Sequence, residues 1–190
     1  MSPILGIWAS GQQPALNASS FDSIATVTVG SGGSSSITFS SIPSTYKHLQ
    51  IRWFGRGSAS GASALSLRFN SDATSGNYKT HYLEGSGSTA AAGAISTSDY
   101  TAIYSMAGSD ATTSVFGAGV IDILDYTSTN KNKTIRNLGG YDNNGSGYID
   151  FTSSLWLKTP EAINRIDLTV NFAAANFSNY SSFALYGVKG

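Results

Sequence analysis

The chain has no cysteine and only two histidines among its 190 residues. Without cysteine it forms no disulfide, holds no thiolate-bound zinc and has no thiol nucleophile. His48 and His81 both fall on the polar phase of strand-like stretches, without a histidine or carboxylate at ligand spacing, whereas a zinc site needs at least three protein ligands. No serine stands in the G-x-S-x-G turn of hydrolases. These absences predict a protein that is not an enzyme and has no catalytic residues, no cofactor and no bound metal.

Charge is also scarce, because charged residues make up 12% of the chain and the basic residues balance the acidic ones at eleven each. A net charge of zero provides no field that would attract nucleic-acid phosphates or an anionic membrane. No apolar run approaches the ~18 residues of a membrane span, and the start of the chain lacks the basic region and apolar core of a signal peptide. The sequence therefore predicts neither a nucleic-acid partner nor a membrane partner.

What the chain does have is alternation of apolar and polar residues with a period of two. Leu49, Ile51 and Trp53 fall on one phase and Gln50 and Arg52 on the other, as a half-buried strand requires. Similar runs recur along the chain and give about ten short strands. The residues that share the apolar phase, and that we expect in the core, are Val27, Phe39, Leu49, Ile51, Trp53, Leu67, Ile123, Leu168 and Leu185.

Segments rich in Gly, Ser and Asn separate these runs and are typical of turns. The predicted turns are Gly30 to Ser36, Gly55 to Gly61, Ser71 to Asn77, Gly85 to Gly93 and Asp142 to Gly147. Many short strands with such connections, and no helical periodicity, are typical of antiparallel sandwiches. The predicted fold is therefore all-β: an antiparallel β-sandwich, jelly-roll-like.

The stretch from Asp142 to Asp150 has two interpretations. Its oxygen-bearing residues follow the spacing of a calcium loop, with Gly147 at the sharp turn, but Ser153 occupies the position of the bidentate glutamate. Asn-Gly and Ser-Gly pairs also form β-hairpin turns for reasons of backbone conformation alone. The sequence leaves calcium binding and a plain hairpin as alternatives, of which the hairpin is the simpler.

The first twenty residues differ from the rest. Ile4, Leu5, Ile7 and Trp8 form an apolar cluster, and Gly11, Pro14 and a Ser-rich stretch separate it from the first strand. An apolar tip on a pliable stem favours docking onto a partner. We therefore predict an N-terminal docking segment at 1–20, with these four residues as the partner-binding site, and a β-sandwich domain at 21–190. The alternative is an additional edge strand that folds back onto the chain's own sandwich.

Several stretches together resemble a family of small structural proteins of tailed bacteriophages, described as tail-fibre or virion proteins. The resemblance spans nearly the whole chain. It rests on ILGIWASG near the start, FDSIATVTVGSGGSSSITFSSIPSTYKHLQIR from Phe21 to Arg52, NYKTHYLEG from Asn77, KNKTIRNLGGYDNNGSG from Lys131 and the closing SFALYGVKG. It implies a β-sandwich on the exterior of the virion, with other phage structural proteins as partners and no catalytic residues.

The chain has no heptad stretch and no fixed repeat that would form a fibre shaft. We therefore expect a compact decoration or cement-like subunit on the capsid or tail, assembled as a homo-oligomer and most simply as a trimer, since such sites have three-fold or six-fold axes. The alternative is a tail-fibre or receptor-binding appendage that contacts host surface glycans, because Tyr and Trp among Ser, Asn and Gly also occur at adaptable binding surfaces.

Overall fold

A computed structural model of the chain describes residues 20–61, 63–171 and 175–190, apart from the side chain of Ser105. None of these residues is helical, and they form twelve β-strands. The strands are β1 (Phe21–Thr28), β2 (Ser36–Phe39), β3 (His48–Gly55), β4 (Ser63–Phe69), β5 (Tyr78–Gly85), β6 (Ala90–Ser98), β7 (Thr101–Met106), β8 (Gly117–Ile123), β9 (Lys133–Asp142), β10 (Gly147–Trp156), β11 (Ile166–Val170) and β12 (Ser182–Val188).

The strands form two antiparallel sheets that pack face to face. The large sheet has the order β1-β12-β3-β8-β9-β10-β5-β6, and the small sheet has the order β2-β11-β4-β7. The quartets β1-β12-β3-β8 and β2-β11-β4-β7 have the order of a jelly roll, in which the chain crosses between two four-stranded sheets at every step except from β4 to β7. This confirms the predicted jelly-roll-like sandwich.

Four strands lie outside that jelly roll. The hairpin β5-β6 lies in sequence between two strands of the small sheet, and the hairpin β9-β10 lies between β8 and β11. Both hairpins join the large sheet beyond β8, with β10 paired to β5. We call these four strands the extension.

The core lies between the sheets, mainly under the jelly-roll strands. Eight of the nine predicted core residues are buried, and Val27 is half-buried on β1, which is an edge strand among the described residues. Trp156 closes the core beneath the extension, where its ring packs 5.4 Å from that of Phe69. The alternation pattern therefore predicted the core correctly, apart from one edge position.

One predicted turn is wrong. Gly85 to Gly93 was expected to be a loop, but the turn is closed by a hydrogen bond from the Ser86 backbone N–H to the Thr89 carbonyl oxygen, and β6 begins at Ala90. Alanine and glycine have low strand propensity, so the local sequence gives little sign of the strand that pairing with β5 creates. Gly93 is required there, because a Cβ at this position would lie 2.5 Å from the Tyr82 hydroxyl oxygen.

Candidate interaction surface

The predicted docking residues Ile4, Leu5, Ile7 and Trp8 lie outside the described residues, as does nearly all of the segment 1–20. Their role as a partner-binding site therefore stays a prediction. The described domain begins at the edge of the large sheet, where Phe21 pairs with Val188.

The two histidines are held apart by the large sheet. His48 lies on β3, where its Nδ1 accepts a hydrogen bond of 2.9 Å from the backbone N–H of Asp125. His81 is exposed on β5, with β8, β9 and β10 between the two strands. The geometry therefore does not bring them together in one site.

The stretch from Asp142 to Asp150 forms a tight hairpin between β9 and β10. Asp142 Oδ1 accepts a hydrogen bond of 3.0 Å from the backbone N–H of Gly145, while the side chain of Asp150 points into the sandwich and is buried. The two carboxylates thus point into different environments. This divergence favours the hairpin over a calcium loop. In the described part of the chain no three histidine, aspartate or glutamate side chains form a group that could hold a metal ion.

The pattern of burial on β10 is inverted relative to an ordinary sandwich strand. Asp150, Thr152 and Ser154 are buried between the sheets, whereas Ile149 and Phe151 are exposed on the outer face. Strands of a sandwich normally place apolar residues inside and polar residues outside. The extension therefore has a partly polar interior and an apolar exterior.

The polar interior is built around one carboxyl group. Asp150 Oδ2 accepts a hydrogen bond of 2.9 Å from Asn137 Nδ2, and Thr80 and Ser154 share another of 2.9 Å close by. Burial raises the pKa of Asp150 from 3.8 to about 6, although the nearby backbone N–H of Tyr104 and the hydrogen bond from Asn137 partly oppose that rise. These groups satisfy much of their own hydrogen bonding but offer little apolar surface to the small sheet.

The apolar exterior is a continuous row across five strands. Val120 on β8 pairs with Leu138 on β9, Leu138 with Phe151 on β10, and Phe151 with Leu83 on β5. Leu83 pairs with Ala92 on β6. Directly opposite side chains in antiparallel strands lie about 5 Å apart, so the five form one surface, which we call the apolar band.

The large side chains of the band are about half exposed to solvent. Leu83 is 58% exposed, Leu138 56% and Phe151 45%, and Ile149 beside the band is 61% exposed. Isolated exposed apolar residues are common on proteins, but a contiguous apolar patch marks an interaction site. The band is therefore the strongest candidate site in the described part of the chain.

A row of polar residues borders the band on one side of the sheet. On each strand its member is two residues away from the member of the band, after it on β8 and β10 and before it on β9 and β5. Its members are paired across β8, β9, β10 and β5, and they are Asp122, Arg136, Ser153 and His81. Asp122 is fixed by a hydrogen bond of 2.9 Å from Gln50 Nε2. Beyond the band on the opposite side, Ile149 is flanked in the sheet by Gly140 and Gly85. A shallow trough of about 530 Å³ runs over the β10, β5 and β6 end of the band.

No protein-family model matches this chain, and comparisons with curated proteins and with solved structures gave no match. The described residues include no helix of the length and apolarity that crossing a membrane demands.

Proposed function

We propose that this chain is a non-enzymatic structural subunit of a tailed-phage virion, a compact decoration or cement-like protein on the outside of the capsid or tail. The observation that carries the proposal is the inverted extension, which buries Asp150 and exposes Phe151 on the neighbouring position of one strand. The apolar side chains on the outer face remain in water in an isolated domain, and a partner that covers this face would bury them. The resemblance to phage structural proteins is the basis for proposing that the partner is another protein of the virion.

The exposed area of the band is large enough for one copy to bind a particle weakly. Many copies that bind together would form a stable layer. Burying the remaining exposed area of Leu83, Leu138, Phe151 and Ile149 would contribute about 1 kcal/mol each, since full burial of such a side chain is worth about 1.5 to 3 kcal/mol. Part of this is lost to the cost of association. Many copies on one particle, or a second contact by the N-terminal cluster, would then hold the layer in place.

The low charge of the chain suggests that attachment is apolar and not electrostatic, and the two kinds of contact respond differently to salt. An apolar contact persists or strengthens in high salt, whereas a contact between opposite charges weakens because salt screens it. We therefore expect attachment to survive salt concentrations that remove electrostatically bound proteins from the particle.

The experiment combines localisation with reconstitution. Labelled antibodies locate the protein on the virion, and purified full-length chain is added to particles from which it has been removed. The double variant Leu138→Thr/Phe151→Thr removes two members of the band and replaces them with β-branched residues, which favour the strand conformation. We expect its affinity for particles to fall at least tenfold, while a control, Thr134→Ser on the same face of β9 but away from the band, binds as the original chain does.

Two results would contradict the proposal. One is a label that is absent from the virion. The other is a band variant that decorates particles as well as the control, with both proteins folded by circular dichroism. Deleting residues 1 to 16 tests the N-terminal docking segment separately, because the deleted protein should fold but attach more weakly.

A second candidate function is recognition of host surface glycans. Tyr141 and Tyr148 pair across the β9-β10 hairpin with ring centroids 6.3 Å apart, and with Asp142 they line a cavity of about 190 Å³. Aromatic rings beside a carboxylate suit sugar binding. Replacing both tyrosines by alanine should abolish adsorption to host cells if this function holds, and leave adsorption unchanged if the protein is a decoration subunit.

A further inference from the structure

The two sheets have four edge strands in the described part of the chain: β1 and β6 in the large sheet, and β2 and β7 in the small one. An edge strand presents unpaired backbone N–H and C=O groups, and proteins protect such edges by shortness, charge or bulges. β2 has only four residues. β1 contains a bulge between Ser23 and Ala25, and Asp22 at its start forms an ion pair of 2.9 Å with Lys189.

β7 is protected by burial, since Ala102, Ile103 and Met106 on it are buried, so β6 has the weakest protection of the four. It is nine residues long, contains no charged residue and no proline, and among the described strands pairs only with β5. A bulge interrupts its pairing only towards the far end, near Ser96 and Thr97, so the stretch from Ala90 to Ile95 is regular. Ala91 and Ala92 are both exposed although they point to opposite faces of the sheet. The regular half of β6 is therefore open to strand addition along its free side.

We propose that two copies of this chain pair antiparallel through β6, about a two-fold axis at Ala92, and so join their large sheets into one. A second copy fits this edge because the edge is uncharged and pairs with itself without bringing like charges together. The pairing is a form of strand addition, in which backbone hydrogen bonds supply much of the affinity.

The register follows from the geometry of the strand. When a two-fold axis passes through Ala92, Ala90 lies opposite the partner's Ala94, and Thr89 lies opposite the partner's Ile95. This register uses the whole regular stretch and ends before the bulge. Opposite residues then share a face, as antiparallel pairing requires.

This register also joins the two apolar bands. Ala92 is the member of the band on β6, so pairing at Ala92 makes the bands of both copies collinear. At about 4.8 Å between strands, a band across five strands spans about 19 Å and one across ten strands about 43 Å. The pair would therefore offer a docking surface about twice as long as that of one copy.

The proposal concerns the purified protein and does not depend on attachment to a particle. We expect the full chain to have twice its 19.8 kDa mass in sedimentation and light-scattering measurements at micromolar concentration. Ala92→Lys places two lysines opposite each other at the axis and should raise the dissociation constant at least tenfold. The matched control Thr134→Lys adds the same charge to the same face on β9 and should leave the mass unchanged.

Cross-linking tests the register, and the chain has no cysteine to interfere. Ala92→Cys should be joined to its own copy by a short bismaleimide. Ala90→Cys and Ala94→Cys should react poorly alone but join each other when mixed, because only the mixture brings their thiols opposite. A monomer or a trimer by mass, or a lysine effect equal at Ala92 and Thr134, would overturn the proposal, as would equal cross-linking of every cysteine variant.

Discussion

Replacing Asp150 by asparagine should make this protein more stable at neutral pH and remove much of its pH dependence. The Asp150 side chain is fully buried, and its Oδ1 has no hydrogen-bond partner among the described residues. The side-chain oxygen of Asn137 likewise lacks a donor, although the two side chains are already joined through Asn137 Nδ2. A protonated carboxyl or an amide at position 150 supplies that missing donor, whereas the carboxylate does not.

The magnitude follows from the pKa of Asp150, which burial raises from 3.8 to about 6. Because the folded pKa is higher than the unfolded one, the folded state binds the proton more tightly. Stability from this group is thus greatest below about pH 4 and falls as the pH rises to about 6. The total loss is at most about 3 kcal/mol, at 1.36 kcal/mol for each pH unit between the two values. The pKa of Asp72 is lowered to about 2. Its contribution to folding stability is therefore lost only as the pH falls below about 4, outside the range in which Asp150 titrates.

The assay is chemical and thermal unfolding of the original chain, Asp150→Asn and a control, Asp142→Asn, which removes one negative charge at an exposed position. We expect Asp150→Asn to be more stable than the original chain by about 1 to 3 kcal/mol at pH 7.5. For a domain of this size that corresponds to about 2 to 12 °C in Tm. At pH 4 the two should agree within about 1 kcal/mol. The reasoning fails if the asparagine variant is the less stable one at pH 7.5, or if its stability changes between pH 4 and 7 as steeply as that of the original chain.

Three further substitutions test the contacts that hold the sandwich together. Asp72→Ala should cost about 2 to 3 kcal/mol by denaturant unfolding, because it leaves the buried indole N–H of Trp156 without the acceptor that now lies 2.8 Å away. Gly119→Ala should cost about 1 to 3 kcal/mol in the same assay, because its Cβ would lie 2.7 Å from Trp53 Nε1. Arg56→Lys should speed hydrogen exchange in the loop before β8, because one ammonium group cannot replace the guanidinium that donates to four backbone carbonyl oxygens at 2.8 to 3.0 Å.

The sequence predicted the jelly roll because the apolar residues of its strands face the core and the polar residues face solvent. On β3 the apolar phase of Leu49, Ile51 and Trp53 is the buried phase, so alternation gives both the strand and its orientation. The loop predicted at Gly85 to Gly93 failed for the opposite reason. The first part of β6, Ala90 to Gly93, has neither alternation nor strand-forming side chains, and its structure depends on pairing with β5, a contact that local sequence does not encode.

The apolar band escaped prediction because a period of two leaves the orientation of a strand undecided. On β10 one phase contains Ile149, Phe151 and Leu155, and the other contains Asp150 and Trp156. Counting apolar residues favours the first phase as the inner one. The fold adopts the second, in which Trp156 packs against the ring of Phe69 and donates a hydrogen bond to the buried carboxylate of Asp72. The polar residues on the same phase must then enter the sandwich with it. A strand with large apolar residues on both phases therefore predicts either that the fold buries both of its faces or, as on β10, that one apolar face stays exposed.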